Sequence, residues 1–180
     1  MQLSQIQIDT YLEQGFLVLE NFAVKEECEA LRERAMQMVA KNEPSDKVSI
    51  FTTNEQSRHS DRYFLESGDK IRLFFEEEVF DSEGDLVQSK EQSINKIGHT
   101  LHDLDPLFES ISRNESGNGT EMEVWDDTPW ETGKAVPLEV PQGTLVILHG
   151  RLPHMSEANR SSRTRHAYTL HLIEAEGHYP

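Results

Sequence analysis

A disulfide is out of reach for this sequence: it has one cysteine, Cys28, in 180 residues, a usage that fits a reducing compartment. Basic residues are scarce. Lys and Arg number 17 against 33 Asp and Glu, for a net charge of −16. With no basic stripe either, the chain repels a phosphate backbone, which excludes nucleic acid as a partner. Long apolar runs are absent too, and nothing approaches the roughly 20 residues that cross a bilayer, so no membrane partner is expected. The opening "MQLSQIQIDTYLEQG" lacks the basic and apolar regions of a signal peptide. These absences leave a soluble, cytoplasmic protein whose residues 1–180 form a single domain, with the oligomeric state open.

What is present divides into punctuated elements. Ser4 reads as the N-cap of a helix running to about Gln14, with Gly15 as its stop, and "FLVLENF" follows as a buried strand. Over Lys25–Lys41, the spacing of Cys28, Leu31, Ala35 and Met38 predicts an amphipathic helix, stopped soon after by Pro44. "DKIRLFFEEEVF" alternates as a strand with Ile71, Leu73 and Phe75 on one face, and "DSEGD" is a turn. Asp105 reads as the cap of a helix that Pro106 opens. Arg113–Lys134 is acidic, rich in Gly and Asn, and without period; it reads as a flexible loop. Beyond it, Val136–Val140 and Thr144–Leu148 read as strands joined by the turn Pro141-Gln142-Gly143.

The chemistry concentrates in "HGRLPHMSEANRSSRTRHAYTLHLIE". His154 follows one strand, and Arg165, eleven residues later, heads an apparent next one. An imidazole and a guanidinium on neighbouring strand ends suit an enzyme that uses iron with 2-oxoglutarate. The imidazole binds metal, and the planar guanidinium fork holds a carboxylate through two parallel hydrogen bonds, which a lysine cannot do. The hydroxyls of Ser162 and Thr169 could add contacts. Taken singly, each of these residues is ordinary turn or strand chemistry.

Together with its surroundings, "GTLVILHGRLPHMSEANRSSRTRHAYTLHLIEAEG" resembles the C-terminal segment of the phytanoyl-CoA dioxygenase family. Upstream, "EQGFLVLENFAVKEECEALRER", "YFLESGDKIRLFFEEEVFD" and "SINKIGHTLHDLDPLF" resemble its N-terminal half, in the same order. The resemblance implies an α+β fold: N-terminal helices plus a double-stranded β-helix of the jelly-roll, cupin-like kind, here partial. It also implies an Fe(II)- and 2-oxoglutarate-dependent dioxygenase, supported by ascorbate, that acts on a small-molecule substrate. His154 matches the distal iron-binding histidine. Arg165 and Lys96 match residues that bind 2-oxoglutarate.

One part of the family pattern is missing. Its iron is held by two histidines and a carboxylate, of which the first histidine and the carboxylate come from one His-x-Asp motif. That motif belongs between the "NKIGH" region and the distal histidine. From Gly98 to Pro153 this sequence has none: His102 is followed directly by Asp103. The chain passes from "DPLFESIS" straight into "RNESGNGTEMEV", which implies an internal truncation near 112–113, from splicing or an incomplete gene model. His59-Ser60-Asp61 is a literal His-x-Asp, but it precedes "NKIGH" and stands out of order. The expectation is a chain of dioxygenase descent that is catalytically inactive as it stands.

Overall fold

The structure, a computed structural model, describes residues 3–41, 49–51, 61–112, 133, 135–156, 159 and 161–172. The loop expected at 113–134 lies outside them apart from Gly133, as do His59 and Ser60. The chain divides into two compact units, each assembled from separated stretches: residues 1–30 with 122–158, and 31–121 with 159–180. Helices and antiparallel strand pairs make the fold α+β. Among the described residues no helix is long and apolar enough to cross a membrane.

In the first unit, Ser4 caps α1 (Gln5–Gln14) as expected. Its hydroxyl accepts from the Gln7 N–H, and the Gln7 side chain accepts from the Ser4 N–H at 2.8 Å. Gly15 ends the helix at φ 77, a left-handed conformation that costs glycine nothing. β1 (Phe16–Leu19) then pairs antiparallel with β4 (Leu145–Leu148), Phe16 facing Leu148 and Leu19 facing Leu145. All eight residues are apolar, and Leu17 is buried. The turn before β4 is locked by Gly143, at φ +85, where a Cβ would lie 2.3 Å from the Ala23 carbonyl oxygen. The Gly143 carbonyl in turn accepts from the Ala23 N–H at 3.0 Å. Val136–Val140 does not form the expected strand: the segment has no ladder, and Val136, Leu138 and Val140 are exposed. Alternation makes a segment able to pair, but a strand exists only where a neighbour supplies the other half of its hydrogen bonds.

In the second unit, β2 (Arg72–Phe75) pairs antiparallel with β3 (Ile94–Gly98). Phe74 faces Lys96 and Phe75 faces Ile94, so Asn95 is the extra residue of a bulge. The alternation of Ile71, Leu73 and Phe75 predicts one buried face, yet Phe74 has no exposed surface and Leu73 has 4%. β2 is covered on both sides, so period-2 reading misplaced its most buried residue. Tyr63 and Phe64 of α3 (Arg62–Leu65) set their ring edges against Phe74, with centroids 5.7 and 5.6 Å away. After β3 come α5 (Leu101–Leu104) and α6 (Pro106–Ser112), while α4 (Lys90–Ser93) leads into it. Asp105 caps α6 as expected, accepting from the N–H groups of Leu107 and Phe108 at 3.1 and 3.3 Å. It also receives Arg34 Nε at 2.6 Å, tying the later part of α2 (Lys25–Lys41) to α6. The strand expected from Arg165 is absent, and residues 164–172 run without regular structure.

Candidate functional site

Lys96 stands on β3 opposite Phe74, its ammonium 5.0 Å from the Phe51 ring centroid and 5.8 Å from that of Phe64. Those distances suit cation–π attraction. Three residues on, His99 meets the same Phe64 ring edge to face, centroids 5.6 Å apart, with Phe74 at 5.9 Å. His99 Nδ1 lies 2.8 Å from the Ser67 hydroxyl oxygen, and the His99 N–H donates to the Lys70 carbonyl. Ser67 already gives its single hydroxyl proton to the Phe64 carbonyl. The Nδ1 of His99 must therefore be the donor in that pair, which leaves Nε2 with its lone pair when the ring is neutral. Burial pushes the His99 pKa below its ordinary 6.5, the Lys96 charge adds to this, and a hydrogen bond to the Ser67 backbone acts the other way. The family resemblance assigns a role to Lys96 and none to His99. The only signal in its favour was proximity, three residues beyond Lys96 in "NKIGH".

His154 belongs to the first unit, Lys96 and Arg165 to the second. His154 is exposed, and its Nδ1–H donates to the Leu152 carbonyl at 2.9 Å. That bond directs the Nε2 lone pair outward, the arrangement a metal-binding imidazole uses. Arg165 is exposed and makes no hydrogen bond or ion pair with any described residue. Its backbone is fixed from both sides. Before it, the Gln92 side chain donates to the Ser162 carbonyl at 3.1 Å, and Asn159 binds the Arg163 carbonyl at 2.6 Å. After it, Tyr168 sets its ring edge-on to Phe108, centroids 5.0 Å apart. Because Ser112 gives its proton to the Phe108 carbonyl, the Tyr168 hydroxyl donates to Ser112. Burial raises the Tyr168 pKa above 10.0, and Asp103 pushes the same way against the Ser112 hydrogen bond.

An iron(II) centre needs at least three converging donors on one face of the ion. Among the described residues no three His, Cys, Asp or Glu side chains gather in that way. Asp61, the out-of-order carboxylate, is occupied as the cap of α3, accepting from the N–H groups of Tyr63 and Phe64 and from the Ser49 hydroxyl. Asp103 lies 3.5 Å from its neighbour His102. The described residues do not fit the facial triad, and His154 has no two further donors converging on it among them.

Comparison with known proteins matches these elements to one family. Its model, described as phytanoyl-CoA dioxygenase (PhyH), matches residues 11–125 and, separately, 114–167. The chain is 32% identical over 266 residues to phytanoyl-CoA dioxygenase domain-containing protein 1 of Bos taurus, across 97% of this chain and 91% of that protein. To its namesake of Mus musculus it is 30% identical over 267 residues, with the same shares. A phytanoyl-CoA dioxygenase of Arabidopsis thaliana is 28% identical over 256 residues, 97% of this chain and 90% of that one. The mouse alignment exceeds the 180 residues here by 87, so at least that many aligned positions have no counterpart. The chain belongs to the phytanoyl-CoA dioxygenase family.

Proposed function

We propose that this chain descends from an Fe(II)- and 2-oxoglutarate-dependent dioxygenase of the jelly-roll, cupin-like kind. It retains residues for the co-substrate, Lys96 and Arg165, and one metal-binding histidine, His154. The reaction of that class is oxidative decarboxylation of 2-oxoglutarate to succinate, coupled to hydroxylation of a small-molecule substrate. The 180-residue chain itself carries no His-x-Asp between Gly98 and Pro153, and without that motif it is a carboxylate binder rather than a working oxygenase. The observation that carries this reading is the double match to the family model, two pieces that overlap at residues 114–125. A segment lost there takes the motif with it and leaves both halves in frame. The non-local pairing of β1 with β4 supports the roll-like reading, since it joins the two ends of the matched region.

The test is turnover. With Fe(II), ascorbate and 2-oxoglutarate, the purified chain is expected to form no succinate above a His154→Ala control. A version carrying the relatives' central segment between Ser112 and Arg113 is expected to be active. Clear His154-dependent succinate formation by the short chain would mean that substitute ligands complete an iron site, and the non-catalytic reading would be abandoned.

A further inference from the structure

We propose that the Ser162 hydroxyl is a phosphorylation site for an arginine-directed protein kinase, and that the phosphate, once attached, pairs with the Arg165 guanidinium. Three observations carry it. Between Glu157 and Glu174 the sequence has three arginines, two histidines and no acidic residue, in a chain where Asp and Glu outnumber Lys and Arg by 33 to 17. Kinases select substrates by such charge patterns. Residues 161–167 are exposed and lie outside helix and strand, so this backbone is open to a partner's groove. Finally, the hydroxyls of the arm are not equivalent. Ser161 Oγ lies 2.8 Å from the Asn159 side-chain oxygen and accepts from the Arg163 N–H at 3.3 Å, and Thr164 Oγ1 lies 3.0 Å from His166 Nε2. The Ser162 hydroxyl makes no hydrogen bond with any described residue, while the Ser162 carbonyl is held by the Gln92 side chain at 3.1 Å. The arm presents this one hydroxyl from an anchored backbone.

The step is a phosphoryl transfer from a nucleoside triphosphate. Ser162 Oγ forms a bond to the γ-phosphorus, and the bond from that phosphorus to the β–γ bridging oxygen breaks. The hydroxyl proton passes to a base of the kinase, and the nucleoside diphosphate leaves. The new group carries a charge of about −1.5 to −2 at neutral pH and three strong acceptor oxygens. Arg165 stands three residues on, exposed and without a partner among the described residues. Three residues of extended chain span about 10 Å at most, a gap that the phosphoseryl and arginine side chains close between them. The guanidinium fork then meets two phosphate oxygens through parallel N–H groups. One consequence rests on the reading of Arg165 as a co-substrate residue: the phosphate occupies the group that 2-oxoglutarate needs, so phosphorylation turns co-substrate binding down.

The experiment incubates the folded 180-residue chain with ATP, Mg(II) and a purified arginine-directed Ser/Thr kinase, and locates the product by tandem mass spectrometry. The expected result is one phosphoryl group per chain on Ser162, lost in Ser162→Ala and kept in Thr164→Val. Arg163→Gln is expected to slow incorporation roughly five-fold, through loss of the cation beside the hydroxyl. Phosphorus NMR then follows the attached phosphate, whose second ionisation lies at about pH 6 when unpaired. Pairing favours the dianion, so the midpoint should be lower in wild type than in Arg165→Gln. By calorimetry, 2-oxoglutarate should bind the phosphorylated chain roughly five-fold more weakly than the unmodified one. No incorporation into the folded chain, or incorporation that Ser162→Ala leaves undiminished, overturns the site. Equal phosphorus midpoints in wild type and Arg165→Gln overturn the pairing, and equal 2-oxoglutarate affinities before and after phosphorylation overturn the switch. Failure of the unmodified chain to bind 2-oxoglutarate overturns the co-substrate reading of Arg165 and does not touch the mass-spectrometric and phosphorus results.

Discussion

Asp105 shows how much one side chain carries in a chain with a small core. Its carboxylate is 2% exposed, caps α6 through two backbone N–H groups, and accepts the Arg34 guanidinium. Removing it leaves the partly buried Arg34 without its carboxylate, with only the Gln37 side-chain oxygen as partner among the described residues, and a helix without a cap. Asp105→Ala is therefore expected to cost on the order of 3 kcal/mol in urea unfolding. Asp105→Asn, which can still cap but cannot pair, should lose less. Arg165 makes the opposite case, since it holds no partner among the described residues and its replacement should leave stability alone. Arg165→Lys is expected to lower 2-oxoglutarate affinity by about 1 kcal/mol, through loss of the two-pronged geometry. Equal affinities of the two proteins in calorimetry would mean that Arg165 faces solvent and nothing more.

At the level of elements, the informative pieces are a turn and an unpaired arm. Gly143→Ala would drive a Cβ into the Ala23 carbonyl at a positive φ, so the turn before β4 must move or break. The expected outcome is a loss of about 2 kcal/mol or more, with β1 and β4 amides exchanging faster, measured by native-state hydrogen exchange. The arm bearing Arg165 is held by Tyr168, whose neutral hydroxyl donates to Ser112. Because the folded pKa of Tyr168 is raised, the stability it contributes is fully present below its ordinary 10.0 and is lost as pH rises through the folded value. Tyr168→Phe keeps the ring against Phe108 and removes the ionisable group. Thermal melts at pH 8 and pH 11 should therefore show a smaller alkaline loss in the variant than in wild type, and equal losses would discount the tether.

At the scale of the molecule, exposed large apolar side chains outnumber buried ones among the described residues. Six hydrophobic residues are buried among the described ones, while Ile6, Leu12, Val24, Val136 and Leu172, among others, are more than half exposed. Surface of that kind in a family member that lacks at least 87 aligned positions marks faces that the relatives' extra chain can cover. The same shortfall bears on metal. A lone imidazole such as His154, with no two further donors beside it among the described residues, cannot hold Fe(II) as three ligands do, so calorimetry with Mn(II) as its surrogate should show weak binding without stoichiometry. A tight site with one ion per chain, lost in His154→Ala, would show that other donors converge on His154.

The sequence by itself determined the local elements and the lineage. Caps, a glycine stop and a proline first position are written in single residues: Ser4 and Gly15 bound α1, and Asp105 with Pro106 opens α6, where the hydrogen bonds close within a few residues of the signal. The family was legible because its motifs are contiguous stretches. Strand formation was legible only in part, because a strand's partner lies elsewhere in the chain. Thr144–Leu148 was read as a strand and found β1 as its neighbour, whereas Val136–Val140 and the Arg165 arm alternate equally well and found none among the described residues. Burial of Phe74 followed from coverage of both faces of β2, which no period reveals. His99 owed its meaning to contacts from α3, the turn after it and β2, among them a serine 32 residues away that sets its tautomer. Only tertiary structure decides such things, because hydrogen-bond partners and dielectric surroundings are properties of position in space and not of order along the chain.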